Sequence, residues 1–156
     1  MLRIIDRTME WALVVLLVLM VAVGGLQVFN RFVLNASLSW SEELQRYAHI
    51  WLVFIAIPVA YRRSAHIGMN MLVERFPPLW QKVLRFVCEL TWLAFGASVA
   101  WYTTVIMGVA RNQTSSGLTI TMDWVYLALV VGAVYLVLCV ARNLVGGAWK
   151  TAGGQP

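Results

Sequence analysis

The side chains able to do chemistry in this chain are few, and most stand at the edges of apolar blocks. His49 and His66 are the only histidines. Two imidazoles can clamp a haem when they face each other across a bundle, but these two lie at opposite ends of one apolar block and cannot share an axial site. Cys88 and Cys139 both fall inside apolar blocks and supply neither a disulfide framework nor the paired spacing of a zinc site. No HExxH, phosphate-binding loop or dinucleotide fingerprint occurs, and Gly146-Gly147 and Gly153-Gly154 follow no strand. An enzyme is not expected, nor a metal or other cofactor.

What is left is a set of charges. Gln27, Asn30 and Arg31 share one helix face by their spacing; Ser39-Trp40-Ser41-Glu42-Glu43 follow, with Arg46 four residues after Glu42 and His49 four after Gln45. Ser39 and Glu42 form an S-x-x-E capping box, which starts a helix near Trp40. Two uses of this cluster are open. Arg31 and Arg46 can neutralise Glu42 and Glu43 within the chain, because charges at membrane depth must pair, or part of the cluster can face outward as a docking surface. The first weighs somewhat more. Glu89, four residues after Arg85, is similar: an intramembrane carboxylate can carry protons, but its place near a block edge favours an ion pair with Arg85, Arg62 or Arg63.

These charges must be positioned by elements that are strongly apolar. The 156 residues are 61% hydrophobic and only 12% charged, with a mean hydropathy of +0.75. Globular domains run about 45–50% apolar and about 25% charged, so a soluble enzyme is excluded first. Trp11 to Phe29, Leu90 to Ala110 and Trp124 to Ala141 are free of charge. Each approaches the length that a helix needs to cross a hydrocarbon layer of ~30 Å. A shorter block, Ile50 to Tyr61, spans only if its helix starts near Trp40 and carries Arg46 and His49 in its outer part. The expectation is an all-α polytopic membrane domain over residues 1–150, with four transmembrane helices at about 11–29, 42–61, 86–110 and 124–141. Residues 151–156 read as a flexible tail.

Basic residues orient the bundle. With four spans, Arg3, Arg7, Arg62, Arg63, Arg75, Lys82, Arg142 and Lys150 share the side of both termini, and the other side keeps Arg31, Arg111 and, near a helix end, Arg46. The positive-inside rule then makes both termini cytoplasmic. The net charge of +5 is mostly loop charge, not a basic face for nucleic acid. Trp11, Trp80 and Trp149 fall at the inner edge and Trp40 and Trp124 at the outer, whereas Trp51, Trp92 and Trp101 read as facing other helices. A cleaved signal peptide is disfavoured by Asp6 and Glu10 and by the length of the first apolar run.

The connections add detail. Pro77-Pro78 closes the inner loop, with Pro78 suited to the first turn of the third helix. Asn70 to Phe76 reads as a short interfacial helix. Small residues mark close helix contacts: Ala56 and Ala60, Gly96 and Ala100, Ala128 and Gly132. Pro58 is expected to bend the second helix. No internal repeat, and no helix broken at its middle, suggests a transport site within the chain.

The stretch Gln27-x-Phe29-Asn30-Arg31-Phe32, then Ser39-Trp40-Ser41-Glu42-Glu43-Leu44-x-Arg46-Tyr47 and Trp51, resembles the signature of the small membrane subunit of tripartite ATP-independent periplasmic (TRAP) transporters. Arg62-Arg63 with His66-Ile67, and Gly117 to Trp124, are looser matches, and Asn70 stands where the family pattern has an aspartate. The resemblance implies a four-helix protein of the bacterial inner membrane, paired with a large membrane subunit that holds the substrate and sodium sites. It also implies a soluble periplasmic substrate-binding protein that delivers an organic acid. On this view the chain binds no substrate. Asn30, Arg31, Trp40, Glu42, Glu43 and Arg46 would serve the subunit interface or docking, and Arg85 with Glu89 an intramembrane ion pair. Two rivals are a membrane anchor of a respiratory enzyme, which would need haem or quinone residues, and a small proton-coupled exporter with Glu89 as its carrier.

Overall fold

The computed structural model describes residues 2–36, 39–63 and 76–146. The expected interfacial helix at Asn70 to Phe76, all but its last residue, and the tail at 151–156 lie outside them. Four helices account for almost everything described: α1 (Leu2–Val33), α2 (Ser39–Arg62), α3 (Pro78–Ala110) and α4 (Asp123–Gly146). No strand occurs among the described residues, only a bridge between Thr114 and Thr121. In lipid this is the expected solution, since a helix satisfies its own backbone groups.

Helix limits follow from local chemistry. α1 ends where Asn35 takes a left-handed φ of 51° and the Ala36 N–H turns back to the Asn30 carbonyl at 3.1 Å. Asparagine is among the few side chains that tolerate that conformation. α2 starts at Ser39, one residue before the expected Trp40, so Ser39 already lies within the helix. α3 begins on Pro78, whose missing N–H costs nothing in a first turn. It therefore starts well before residue 86, the expected inner limit of the third span.

α4 is the central helix, packed against both α2 and α3, while α1 packs mainly on α2. The core joins Ile55, Val59 and Tyr61 of α2 to Tyr135, Leu136, Cys139 and Val140 of α4. Close crossings depend on two glycines. A Cβ on Gly132 would fall 2.3 Å from the Phe54 carbonyl oxygen, and one on Gly96 would fall 2.9 Å from Val137 Cγ2. Gly96, Ala128 and Gly132 are buried as expected of contact positions, but Ala60 is exposed. Trp51 and Trp92 pack on the core, whereas Trp101 faces outward, 70% exposed, contrary to expectation. Helical spacing shows which residues share a face, not which face is covered.

Among the described residues three helices are long and apolar enough to cross a membrane: Ile4–Val33, Pro78–Ala110 and Asp123–Val145. α2 falls short on composition because its first half carries Glu42, Glu43, Gln45, Arg46 and His49. Even so it connects the same two polar layers as the others. Its start meets Gln27 of α1 and the α3–α4 loop, and its end meets Asp6 and Glu10 of α1. From Glu43 to Arg62 the rise is about 30 Å, the thickness of the hydrocarbon layer.

Candidate functional site

The polar side chains form two layers, one at each end of the bundle. At the end that carries both chain termini, labelled inner after the expected orientation, Asp6, only 6% exposed, accepts hydrogen bonds from the Tyr135 hydroxyl at 2.7 Å and from Arg142 Nη1 at 3.3 Å, and pairs with Arg62 Nη1 at 2.9 Å. The other arm of Arg62 meets Glu10, and Arg63 pairs with the second Glu10 oxygen at 3.2 Å. One guanidinium thus bridges two carboxylates, using the fork that suits arginine to this task. Asp6 and Glu10 are one turn apart on α1, so α1 is fixed to α2 and α4 by charge beside the apolar contacts that Met9, Ala12, Leu13 and Leu16 make with the core.

A second node lies beside it. The Tyr61 hydroxyl donates to Glu89, as does the Asn143 amide, and Asn143 also donates to the Tyr61 oxygen at 3.3 Å. Tyr61 stacks edge-on against Trp92 with centroids 5.8 Å apart. Glu89 therefore belongs to a network of α2, α3 and α4, and the arginines Arg62 and Arg63 are occupied by α1. Arg85, one turn earlier on α3, is half-buried.

At the outer end the two adjacent glutamates diverge. Glu43 points inward, where its carboxylate collects the α3–α4 loop. It accepts from the hydroxyls of Ser115 and Ser116, the latter at 3.1 Å, and from the backbone N–H groups of Gly117 and Leu118, each at 3.0 Å. A Cβ on Gly117 would fall 2.9 Å from Glu43 Oε2, so any side chain there displaces the carboxylate from its present position. Glu42 is exposed and takes only a long 3.5 Å bond from Gln27 Nε2. Asn30 donates to its own helix at Leu26, and Trp40 is half-buried.

Arg31 and Arg46 do not neutralise these glutamates. Both are exposed, and neither pairs with Glu42 or Glu43 among the described residues. The reason is geometric: Glu43 faces donors on the loop, while Glu42, Arg46, His49 and Val53 recur at helical spacing along the exposed face of α2. His49 is therefore also outside the bundle, not satisfied within it. Sequence reasoning missed Asp6, Glu10, Tyr135, Asn143 and the Ser115-Ser116-Gly117 turn. Only the four-residue spacing of Asp6 and Glu10 could have drawn notice.

Comparison with known proteins decides the family. The model of the family described as tripartite ATP-independent periplasmic transporters, DctQ component, matches residues 20–148. The chain belongs to this family. TRAP small permeases are transporter components, and the apolar helices make this one a multi-pass membrane protein. It is 32% identical over 89 residues to a putative TRAP transporter small permease protein of Haemophilus influenzae, covering 57% of this chain and 55% of that one. It is 27% identical over 140 residues to the sialic acid TRAP transporter small permease protein of Vibrio cholerae, covering 86% and 78%. The isethionate TRAP transporter permease protein of Oleidesulfovibrio alaskensis is 26% identical over 113 residues, but the match spans 71% of this chain and only 18% of that protein. In that relative the TRAP small-permease segment is one part of a larger permease polypeptide.

Proposed function

We propose that this chain is the non-catalytic small subunit of a TRAP transporter in a bacterial inner membrane. It braces a large membrane subunit and helps to dock a periplasmic substrate-binding protein for sodium-coupled uptake of an organic acid. The observation that carries this reading is the uncovered stripe Glu42, Arg46, His49 and Val53 on α2. His49 stands about 10 Å along α2 from Glu42, a depth at which an exposed imidazole and guanidinium would otherwise face acyl chains, and polar groups there pair or face protein. A large membrane subunit seated on that face removes the problem. The single-chain isethionate relative supports such a neighbour, because its small-permease segment is joined to more permease.

On this reading α2 is a fourth span and both termini are cytoplasmic. Asn30, Arg31, Trp40, Glu42 and Arg46 form the outer surface offered to the partners, Glu43 holds the loop beside it, and Arg85 and Glu89 serve assembly within the membrane. The names of relatives give sialic acid and isethionate as cargo. Both are organic acids, which supports that class here. Purification of the tagged protein in mild detergent with mass spectrometry of what accompanies it checks the reading. A stoichiometric large polytopic permease is the expected companion; a flavin or iron–sulfur protein, or a homodimer alone, would overturn it.

A further inference from the structure

Between the inner ends of α1 and α2 runs an open cleft of about 420 Å³ whose character changes along its length. Leu13 and Val14 of α1 and Val59 of α2 line its deeper part, while Arg7, Glu10, Trp11 and Arg63 stand toward the inner edge, Glu10 being held by Arg62 and Arg63. Positions 7, 11 and 14 recur on one face of α1, and 59 and 63 are one turn apart on α2. Both helices therefore present apolar surface toward the membrane centre and a guanidinium toward its rim. A wider recess continues past Arg7 and Trp11 to Arg62 and the two carboxylates it bridges, Asp6 and Glu10.

Charge around the cleft is unbalanced. Arg62, Arg63 and Arg142 serve Asp6 and Glu10, and Arg7 is exposed and enters no ion pair among the described residues. Arg7, Arg62 and Arg63 thus stand around the cleft with Asp6 and Glu10, and Arg7 is the guanidinium that pairs with neither carboxylate among the described residues. Trp11, 60% exposed, supplies the indole that favours headgroup depth. Basic pockets between membrane helices on the cytoplasmic side take anionic headgroups, and apolar walls below the charge suit an acyl chain.

We propose that this cleft binds an anionic phospholipid of the inner leaflet, with its phosphate held by Arg7 and by the exposed part of the Arg63 guanidinium that Glu10 does not use, and one chain laid along Leu13, Val14 and Val59. The proposal uses the orientation given above but not the subunit role, so each can fail without the other. Native mass spectrometry of the full-length chain, in whatever assembly it purifies with, tests it using phosphatidylglycerol against phosphatidylcholine. Phosphatidylglycerol should be retained preferentially, on the order of tenfold. Arg7→Gln, which breaks no ion pair among the described residues, should remove most of that preference, and Arg7→Lys should keep part of it. Val14→Trp fills the cleft from an exposed position and should lower retention of the lipid, while Arg111→Gln, exposed at the other end, should leave lipid retention unchanged. Excess inorganic phosphate should leave the lipid bound. Equal retention of both lipids, an unchanged preference in Arg7→Gln, or displacement by inorganic phosphate would each overturn the proposal.

Discussion

Arg62→Ala should destabilise the bundle strongly. It leaves Glu10 with Arg63 alone and takes from Asp6 its shortest ion pair, at a point where Asp6 is 8% exposed in its side chain. Breaking a buried pair by removing one partner costs about 3–5 kcal/mol, and the lower end applies here because Tyr135 and Arg142 still hold Asp6. The expected result is a clear fall in the unfolding temperature of the detergent-purified protein and poor accumulation in membranes. Arg62→Lys should recover only part of the loss, since an ammonium cannot span two carboxylates with a planar fork. Arg46→Ala, which breaks no ion pair, should leave stability near that of the wild type. A thermal midpoint for Arg62→Ala equal to that of Arg46→Ala would show that the inner layer does not hold α1.

Glu43→Ala should loosen the outer end without unfolding the bundle. The substitution removes one acceptor shared by two hydroxyls and two backbone N–H groups, so the turn from Ser115 to Leu118 loses its common anchor. Hydrogen exchange at Gly117 and Leu118 should quicken on the order of tenfold, as expected when a charged acceptor is lost from a turn near water. Exchange within α4 should hardly change. Gly117→Val should act on the same contact from the other side, because its branched side chain begins within 3 Å of the carboxylate. If docking uses this end, uptake falls in both variants while membrane insertion persists. Unchanged protection at Leu118 in Glu43→Ala would contradict the anchoring role.

How far the sequence reveals this molecule depends on which physical term decides each feature. Three of the helices were legible because a charge-free run of membrane length has few other homes. α2 was harder: its outer half is polar, and the length from Glu43 to Arg62 becomes persuasive only when both ends are seen to meet the same layers as its neighbours. Glu42 and Glu43 illustrate the limit for sites. They are adjacent, so a helix turns them about 100° apart, and nothing local says which one faces the α3–α4 loop. Nothing beside Tyr135 in the sequence shows that its hydroxyl meets Asp6, which lies far away along the chain. Arg31 and Arg46 were expected to pair with these glutamates because unpaired charge is costly in lipid. That cost is real, and in the structure it is left for something outside the chain to meet.

The most direct test of the account is a photo-crosslinking residue placed in turn at Arg46, His49 and Val53, in membranes that also hold the large permease subunit. Adducts to that subunit at all three positions, spaced as one face of α2, are the predicted result. Adducts only to lipid at these positions, while outward-facing Trp101 on α3 yields the subunit, would contradict the assignment of α2 as the partner face.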